Sequence, residues 1–318
     1  MTTFAHAAKR LVRPLVPRFL LEPWKRRLFF QARGWQNLHW GTFDSFQDAL
    51  AFAQRFEATT RFGASHEEIL QRHLVLKPHD YPVLFWLARV LPTLEGGRLV
   101  DLGGSIGASY YAYRDRLALR DDLAWTVCEL SEVVAAGRTI AAQRNAPHLR
   151  FSDDMADLDH SSVLFSAGCL QYIERPLAEL LASLRVRPSH LIINRLALTE
   201  RKAFVTLQNT GYSISPCRVD NVEKFVASLA ALGYRQEDSW KCLANRTEVP
   251  FHPECTLPHF YGFYFCRVDA PSHPAASGQD GMAGSRAREQ PVQPGEQDAT
   301  AVPVAAARDR EPAPARPD

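Results

Sequence analysis

The chain has 318 residues, 46% of them hydrophobic and 23% charged, with a formal net charge of +2. That composition suits one large globular domain or two small ones, and the near-neutral balance argues against a protein dedicated to nucleic acid. No apolar run approaches the roughly 20 residues that span a bilayer. The early apolar stretch 11–21 is broken by Arg13, Pro14, Pro17 and Arg18, and no small-residue cleavage site follows, so no secretory signal is expected. The six cysteines (Cys128, Cys169, Cys217, Cys242, Cys255, Cys266) include no Cys-x-x-Cys pair and read as reduced thiols of a cytoplasmic protein.

Residues 1–33 carry Lys9, Arg10, Arg13, Arg18, Lys25, Arg26, Arg27 and Arg33 against the single acid Glu22, interleaved with apolar residues that include Phe19, Leu20, Trp24, Leu28 and Phe29. A basic amphipathic segment can lie on an anionic membrane surface. The plainer reading is an arm packed on the domain with its charges solvated, since Pro14 and Pro17 interrupt a long amphipathic helix. Residues 34–92 read as a helical lead-in or lid. Phe46, Ala49, Leu50, Ala53 and Phe56 recur at helical spacing over 44–56. Ser65-His66-Glu67-Glu68 has the form of a capping box. Asp80-Tyr81-Pro82 opens a further helix whose apolar face runs through Leu84, Phe85, Leu87, Ala88 and Leu91.

Over 93–269 the pattern becomes strand–helix alternation, the mark of a parallel sheet covered on both faces. Strands are expected at 98–102, 124–129, 149–152, 162–167 and 189–194, with helices at 107–118, 132–144 (Ser131 as cap) and 176–185. Asp220-Asn221-Val222-Glu223 reads as a second capping box, before a helix that ends short of Gly233. Residues 234–243 and 260–268 read as a closing antiparallel pair. Residues 270–318 hold no Phe, Tyr, Trp, Leu or Ile and read as a disordered tail, because they cannot bury enough apolar surface to offset ordering entropy.

The stretch that organises the chain is Leu99-Val100-Asp101-Leu102-Gly103-Gly104-Ser105-Ile106-Gly107. A strand, a glycine turn and a helix in succession present backbone N–H groups to a ligand. The turn lacks the Gly-x-Gly-x-x-Gly spacing that cradles a pyrophosphate. Asp101 instead stands two residues before Gly103, at the strand end, where a carboxylate suits a ligand bearing an ammonium group.

On Asp101, Gly103 and Gly107 the chain resembles the class I S-adenosylmethionine-dependent methyltransferases, with Ser105 where the middle glycine of their first motif is usual. More narrowly, Leu-Val-Asp-Leu-Gly-Gly-Ser-Ile-Gly, Gly-Cys-Leu-Gln-Tyr-Ile and Leu-Gly-Tyr-Arg-Gln-Glu-Asp-Ser-Trp resemble a bacterial group of methyltransferase-like proteins without an assigned substrate. The resemblance covers residues 80–268. It implies a Rossmann-like α/β fold with a mostly parallel seven-stranded sheet and S-adenosyl-L-methionine as cofactor. Asp101, Gly103, Gly104, Ser105 and Gly107 would line the methionine end. Glu129 would hold the ribose hydroxyls, Asp154 (or Asp153) the adenine amino group, and Met155 the ring. Ser166 lies on the strand that passes the methionine moiety.

The implied reaction is methyl transfer to a small-molecule or saccharide acceptor, at oxygen, with no nucleic acid involved. Gln171-Tyr172 stand where many small-molecule members have a His pair, which removes an obvious base. The residues near the expected cleft are His79, Tyr81, Tyr110, Tyr111, Tyr172, Asn194, Arg195 and Gln208. Of these, Tyr172, Arg195 and Gln208 are the catalytic candidates; Arg195 and Gln208 flank the connection 195–218, where such folds put substrate contacts. His252-x-x-Cys255-x-x-x-His259, with Cys242 upstream, has zinc-ligand types but no standard spacing, so no metal is expected. Two other functions stay open. One is an NAD(P)-dependent oxidoreductase or epimerase, against which stand the turn spacing and the absence of a Tyr-x-x-x-Lys pair. The other is a methyltransferase-like adaptor without catalysis.

Overall fold

Consecutive strand residues point to opposite faces of a sheet. In the computed structural model, Leu99 and Val100 are both fully buried, each in a different apolar cluster. Their strand is therefore covered on both sides, as a parallel sheet requires. The structure describes residues 17–34, 36–56, 66–94, 96–211 and 213–268. The tail 270–318, the first half of the basic arm and Ser65 of the proposed capping box lie outside the described residues.

The chain enters through helix α1 (Arg18–Gln31), strand β1 (Leu38–Phe43), helices α2 (Phe46–Gln54), α3 (His66–Leu74) and α4 (Tyr81–Val90). Strand β2 (Arg98–Leu102), helix α5 (Ala108–Tyr113), strand β3 (Ala124–Cys128), helix α6 (Ser131–Gln143), strand β4 (Leu149–Ser152), strand β5 (Val163–Ala167), helix α7 (Leu177–Ala182) and strand β6 (His190–Leu196) follow. Short strands β7 (Leu198–Thr199), β8 (Phe204–Asn209) and β9 (Ile214–Asn221) then lead to helix α8 (Val222–Ala230) and strand β10 (Tyr234–Cys242). A hairpin of β11 (Thr247–Val249) and β12 (His252–Leu257) precedes the last strand, β13 (Phe260–Arg267).

The main sheet has seven strands in the order β10-β13-β6-β5-β2-β3-β4. The pairs from β6 through β4 are parallel, and β13 runs antiparallel to both β6 and β10. The expected strands and the closing antiparallel pair are all present. Chain order reverses between β2 and β5, so a crevice opens at their carboxyl ends, where ligands bind in folds of this kind. One face of the sheet packs Leu99, Trp125, Phe165 and Tyr264 under α4, α5 and α6; the other packs Val100, Leu164, Leu191 and Phe265 with α7 and α8.

Two regions differ from the sequence reading. The lead-in is not wholly helical: β1 pairs with β8, with a register shift between Trp40 and Phe43. The connection after β6, to which the sequence reading assigned no elements, is built of strands. It builds a second sheet in the order β1-β8-β9-β7, on which Phe29 of α1 and Ala49 and Ala53 of α2 are buried. Residues 38–43 and 204–209 pair with each other across more than 160 positions, so neither segment signals its partner locally.

Smaller differences concern caps. The helix expected over 107–118 ends at Tyr113 and closes in a tight turn, Arg114–Arg116, that brings Leu117 into the core. Ser131 does not cap α6; its hydroxyl donates to Asp153 at 2.6 Å, and Glu129 takes the Leu130 N–H at 3.0 Å instead. Asn221, not Asp220, caps α8 by accepting from Lys224 N–H at 3.0 Å.

Candidate functional site

The turn after β2 is shaped by three residues with positive φ. Gly103 sits at +74°, Ser105 at +54° and Gly107 at +84°. Ser105 thus adopts the left-handed geometry for which glycine is the usual residue. Glu129, just past β3, steadies it by accepting the Ser105 N–H at 3.2 Å. The Gly103 N–H donates to Cys128 carbonyl at 2.9 Å, tying the turn to the neighbouring strand.

Asp101 is fully buried beneath this turn. Its Oδ2 accepts from the Trp125 indole at 3.3 Å, while its Oδ1 has no partner. Burial raises the carboxyl to about 7; the Trp125 hydrogen bond pulls it back, the Glu129 charge raises it and Arg195 lowers it. A Cβ on Gly104 would lie 2.4 Å from the Asp101 carboxyl carbon, so only glycine leaves that carboxylate room. An unpaired buried acceptor costs roughly 1–3 kcal/mol. A ligand's ammonium group satisfies it, so the residues present fit the amino end of S-adenosylmethionine.

Above Asp101 lies a cleft of about 690 Å³. Its walls bring together Asp101, Gly103, Gly104 and Ser105 with all three catalytic candidates, Tyr172, Arg195 and Gln208. The lead-in closes one side. Asp80 Oδ1 accepts from Tyr113 OH at 2.9 Å and from the Asn194 amide at 3.4 Å, and its Oδ2 accepts from Lys77 N–H at 2.8 Å. These bonds fasten the turn Pro78–Asp80 across α5 and β6. The second sheet closes the other side: Tyr172 OH donates to Gln208 Oε1 at 2.8 Å, and the Gln208 amide donates to Asn37 at 2.8 Å. Burial raises the Tyr172 phenol well above its usual range, so it stays a neutral donor. His79, in the same wall, is held towards its neutral form by burial, with the Asp80 charge opposing and Arg195 and Lys77 assisting.

Five expected cofactor residues do not line the cleft. Ser166 is fully buried and donates to the Leu102 carbonyl at 2.9 Å, clamping β5 to β2 rather than facing a ligand. Gly107 turns inward: a Cβ there would meet Leu149 at 2.7 Å, so its requirement is helix-to-strand packing. Gly103 does line the cleft, yet its missing Cβ faces Cys169, whose Sγ would lie 2.2 Å away. Glu129 stands behind the turn with both oxygens on backbone amides, each retaining a free lone pair. Asp154 accepts from Ala156 N–H at 2.8 Å in its own turn, and Met155 is exposed beside it.

Of the other candidates, Tyr81 is exposed, Tyr110 packs edge-on against Trp125 and Asn194 is engaged by Trp240 and Cys242. Tyr111 lies under Arg114 and Arg144, away from the cleft. Asn245, in the turn after β10, was missed because nothing in its local sequence distinguishes it. Among the described residues no group of three His, Cys, Asp or Glu stands close enough for a metal ion. His252 pairs with Glu254 at 3.0 Å on the β11–β12 hairpin.

By sequence, the chain matches no protein-family model and no curated protein. Among solved structures it is similar to the mitomycin 7-O-methyltransferase MmcR at 17% identity and a TM-score of 0.37, over 59% of this chain and 54% of that one, about half its length. It is also similar to an amino pentose methyltransferase from Micromonospora echinaspora involved in calicheamicin biosynthesis, at 15% identity and a TM-score of 0.40, over 65% of this chain and 98% of that one. The cyclase SpnF aligns at 22% identity and a TM-score of 0.36, over 51% of this chain and 60% of that one. Likeness at this level does not choose a reaction. Strand order, the antiparallel last strand and the crevice at the reversal give the described residues the Rossmann-like methyltransferase fold.

Proposed function

We propose that this chain is a class I S-adenosylmethionine-dependent methyltransferase that methylates a small molecule or saccharide at oxygen. The observation that carries the reading is the buried Asp101 carboxylate beneath the glycine turn, with one oxygen unpartnered, in a residue that lines the cleft. An ammonium supplies both the missing donor and the opposite charge. A pyrophosphate would bring negative charge to the same place, which weighs against a nicotinamide cofactor.

On this reading Gly104 and Ser105 receive the amino-acid end of the cofactor beside Asp101. Glu129 takes the ribose, and Asp154 and Met155 flank the adenine. The bound cofactor supplies an electrophilic methyl group. The residues of the chain then orient the acceptor, which is where much of the barrier reduction in a bimolecular displacement arises. Tyr172 and Gln208 hold one another and form the wall against which the acceptor rests. The neutral imidazole of His79 is the proton acceptor in the cleft for a hydroxyl nucleophile.

Calorimetric titration with S-adenosylhomocysteine and NAD side by side tests the reading. Binding of S-adenosylhomocysteine and silence towards NAD are expected. The reverse pattern hands the site to the oxidoreductase, and silence towards both leaves the adaptor.

A second role is favoured by α1. Leu20, Trp24 and Leu28 share one helix face at a spacing of four, and Phe19, Leu20 and Trp24 are 71%, 58% and 58% exposed. Arg18, Lys25, Arg26 and Arg27 rise from the same helix against Glu22. An anionic membrane surface suits both features. Sedimentation with anionic vesicles should show binding that weakens with salt. Leu20→Ser with Trp24→Ser should weaken it by about tenfold or more, given roughly 1.5–3 kcal/mol for burying one large apolar side chain. No binding at low salt would leave α1 as a packed arm alone. No helix among the described residues is long and apolar enough to cross a membrane.

A further inference from the structure

Among the described residues seven buried side-chain atoms lack a hydrogen-bond partner, and four of them belong to residues that line the same cleft, Asp101, Gln171, Arg195 and Asn245. Buried polar groups are nearly always paired, so a cluster of unpaired ones marks where a ligand's polar atoms belong. The Asp101 oxygen falls in the cofactor half. The other three come from separate places at the carboxyl ends of the strands: Gln171 from the turn after β5, Arg195 from the end of β6, Asn245 from the turn after β10.

Arg195 sets the chemistry. Its φ of +56° is a left-handed backbone that arginine rarely takes, and such local strain gathers at functional positions. Its guanidinium lies over Gly168, where a Cβ would come 3.5 Å from Cζ, and a terminal nitrogen donates to the Ala167 carbonyl at 2.7 Å. The buried Nε has no acceptor, and the guanidinium makes no ion pair among the described residues. The half-buried guanidinium pairs directly with no carboxylate of the chain, although Asp80 and Asp101 share its cleft, and a ligand carboxylate offers it two acceptor oxygens. A doubly charged phosphate is a poorer partner, because Asp80 and Asp101 face the same cleft. Gln171, fully buried, spends its amide nitrogen on the Gly168 carbonyl at 3.2 Å and leaves Oε1 open. Asn245 Oδ1 is open as well. Hydroxyl groups supply the donors these two oxygens lack.

We propose that the acceptor half of the cleft binds a hydroxylated carboxylate such as a sugar acid, with the carboxylate on Arg195 and hydroxyls on Gln171 and Asn245. The proposal rests on the methyltransferase reading only in leaving the Asp101 half to the cofactor.

Titration of the full chain with D-glucuronate and D-galacturonate, against D-glucose and D-galactose, tests it, with and without S-adenosylhomocysteine. At least one uronate should bind about tenfold or more tightly than its neutral parent, the effect of one charge-assisted contact. Arg195→Asn suits the left-handed backbone; at about pH 9, well above the Asp101 transition, it should erase that preference while S-adenosylhomocysteine affinity stays within about twofold. Arg195→Lys should keep part of the preference. Wild-type protein that binds uronates no better than neutral sugars overturns the proposal without any variant. So does an Arg195→Asn protein that loses S-adenosylhomocysteine yet keeps methylthioadenosine, since the guanidinium then serves the cofactor's own carboxylate. If S-adenosylhomocysteine does not bind at all, the methyltransferase reading falls, and the uronate preference measured in its absence still decides this proposal.

Discussion

Asp101→Asn is expected to weaken S-adenosylhomocysteine binding by about ten- to a hundred-fold while making the unliganded protein more stable at neutral pH. The loss follows from removing a charge that faces an ammonium, where a charge-assisted hydrogen bond contributes roughly 1.5–3 kcal/mol. The gain follows from burial, which raises the carboxyl from 3.8 to about 7. Between those values the unfolded chain gives up its proton while the folded chain keeps it. Folding stability therefore falls as pH rises through that window and levels off above about 7. A shift of that size corresponds to about 4 kcal/mol. Asparagine carries no charge to desolvate and still accepts from Trp125. Thermal melts of both proteins between pH 4 and 8 should converge at the acid end and separate towards neutral pH, the variant melting higher. Ligand binding should show the opposite dependence in the wild type. An ammonium requires the ionised carboxylate, so affinity should drop as pH falls below about 7, approaching tenfold per pH unit. Equal affinities for both proteins at pH 8 would overturn the assignment of Asp101.

Gly103→Ala should cost stability rather than ligand contact alone. The residue has φ +74°, and an added Cβ would stand 2.2 Å from Cys169 Sγ and 2.3 Å from its Cβ. Left-handed strain of roughly 1–2 kcal/mol and overpacking of roughly 1–3 kcal/mol act together, so a loss of about 2–5 kcal/mol is expected by chemical denaturation. Cys169→Gly in the same chain removes both clashing atoms and should restore part of that loss. Cys169→Ala, which keeps the Cβ, should restore less. If neither second change restores stability, the glycine serves something other than packing against Cys169.

Asp101, Gly104 and Ser105 were legible in the sequence because a strand, an acid and a small-residue turn are adjacent in the chain. Glu129 was singled out for the same reason, as the first residue past a short apolar strand, but it does not line the cleft and holds the turn through the Ser105 N–H. Ser166 and Gly107 were misread because the sequence shows that a residue is small or polar, not which neighbour it meets. Ser166 meets the Leu102 carbonyl across the sheet, and Gly107 meets Leu149. Gln208 and Arg195 were singled out from their position after the fifth strand of the series. What holds Gln208 in place could not be read: its partners Tyr172 and Asn37 stand 36 and 171 positions away.

By itself the sequence determined the alternation of strands and helices, the acid beneath the turn and the antiparallel close of the sheet. Each is written in periodicities and spacings of a few residues, which local steric and hydrophobic preferences convert directly into structure. Only the tertiary structure decided that β1 and β7–β9 form a second sheet, and that Gln171, Arg195 and Asn245 share one cleft with Asp101. Those outcomes depend on pairing between distant segments and on which polar groups the packed chain leaves unsatisfied, and neither quantity exists until the whole core has closed.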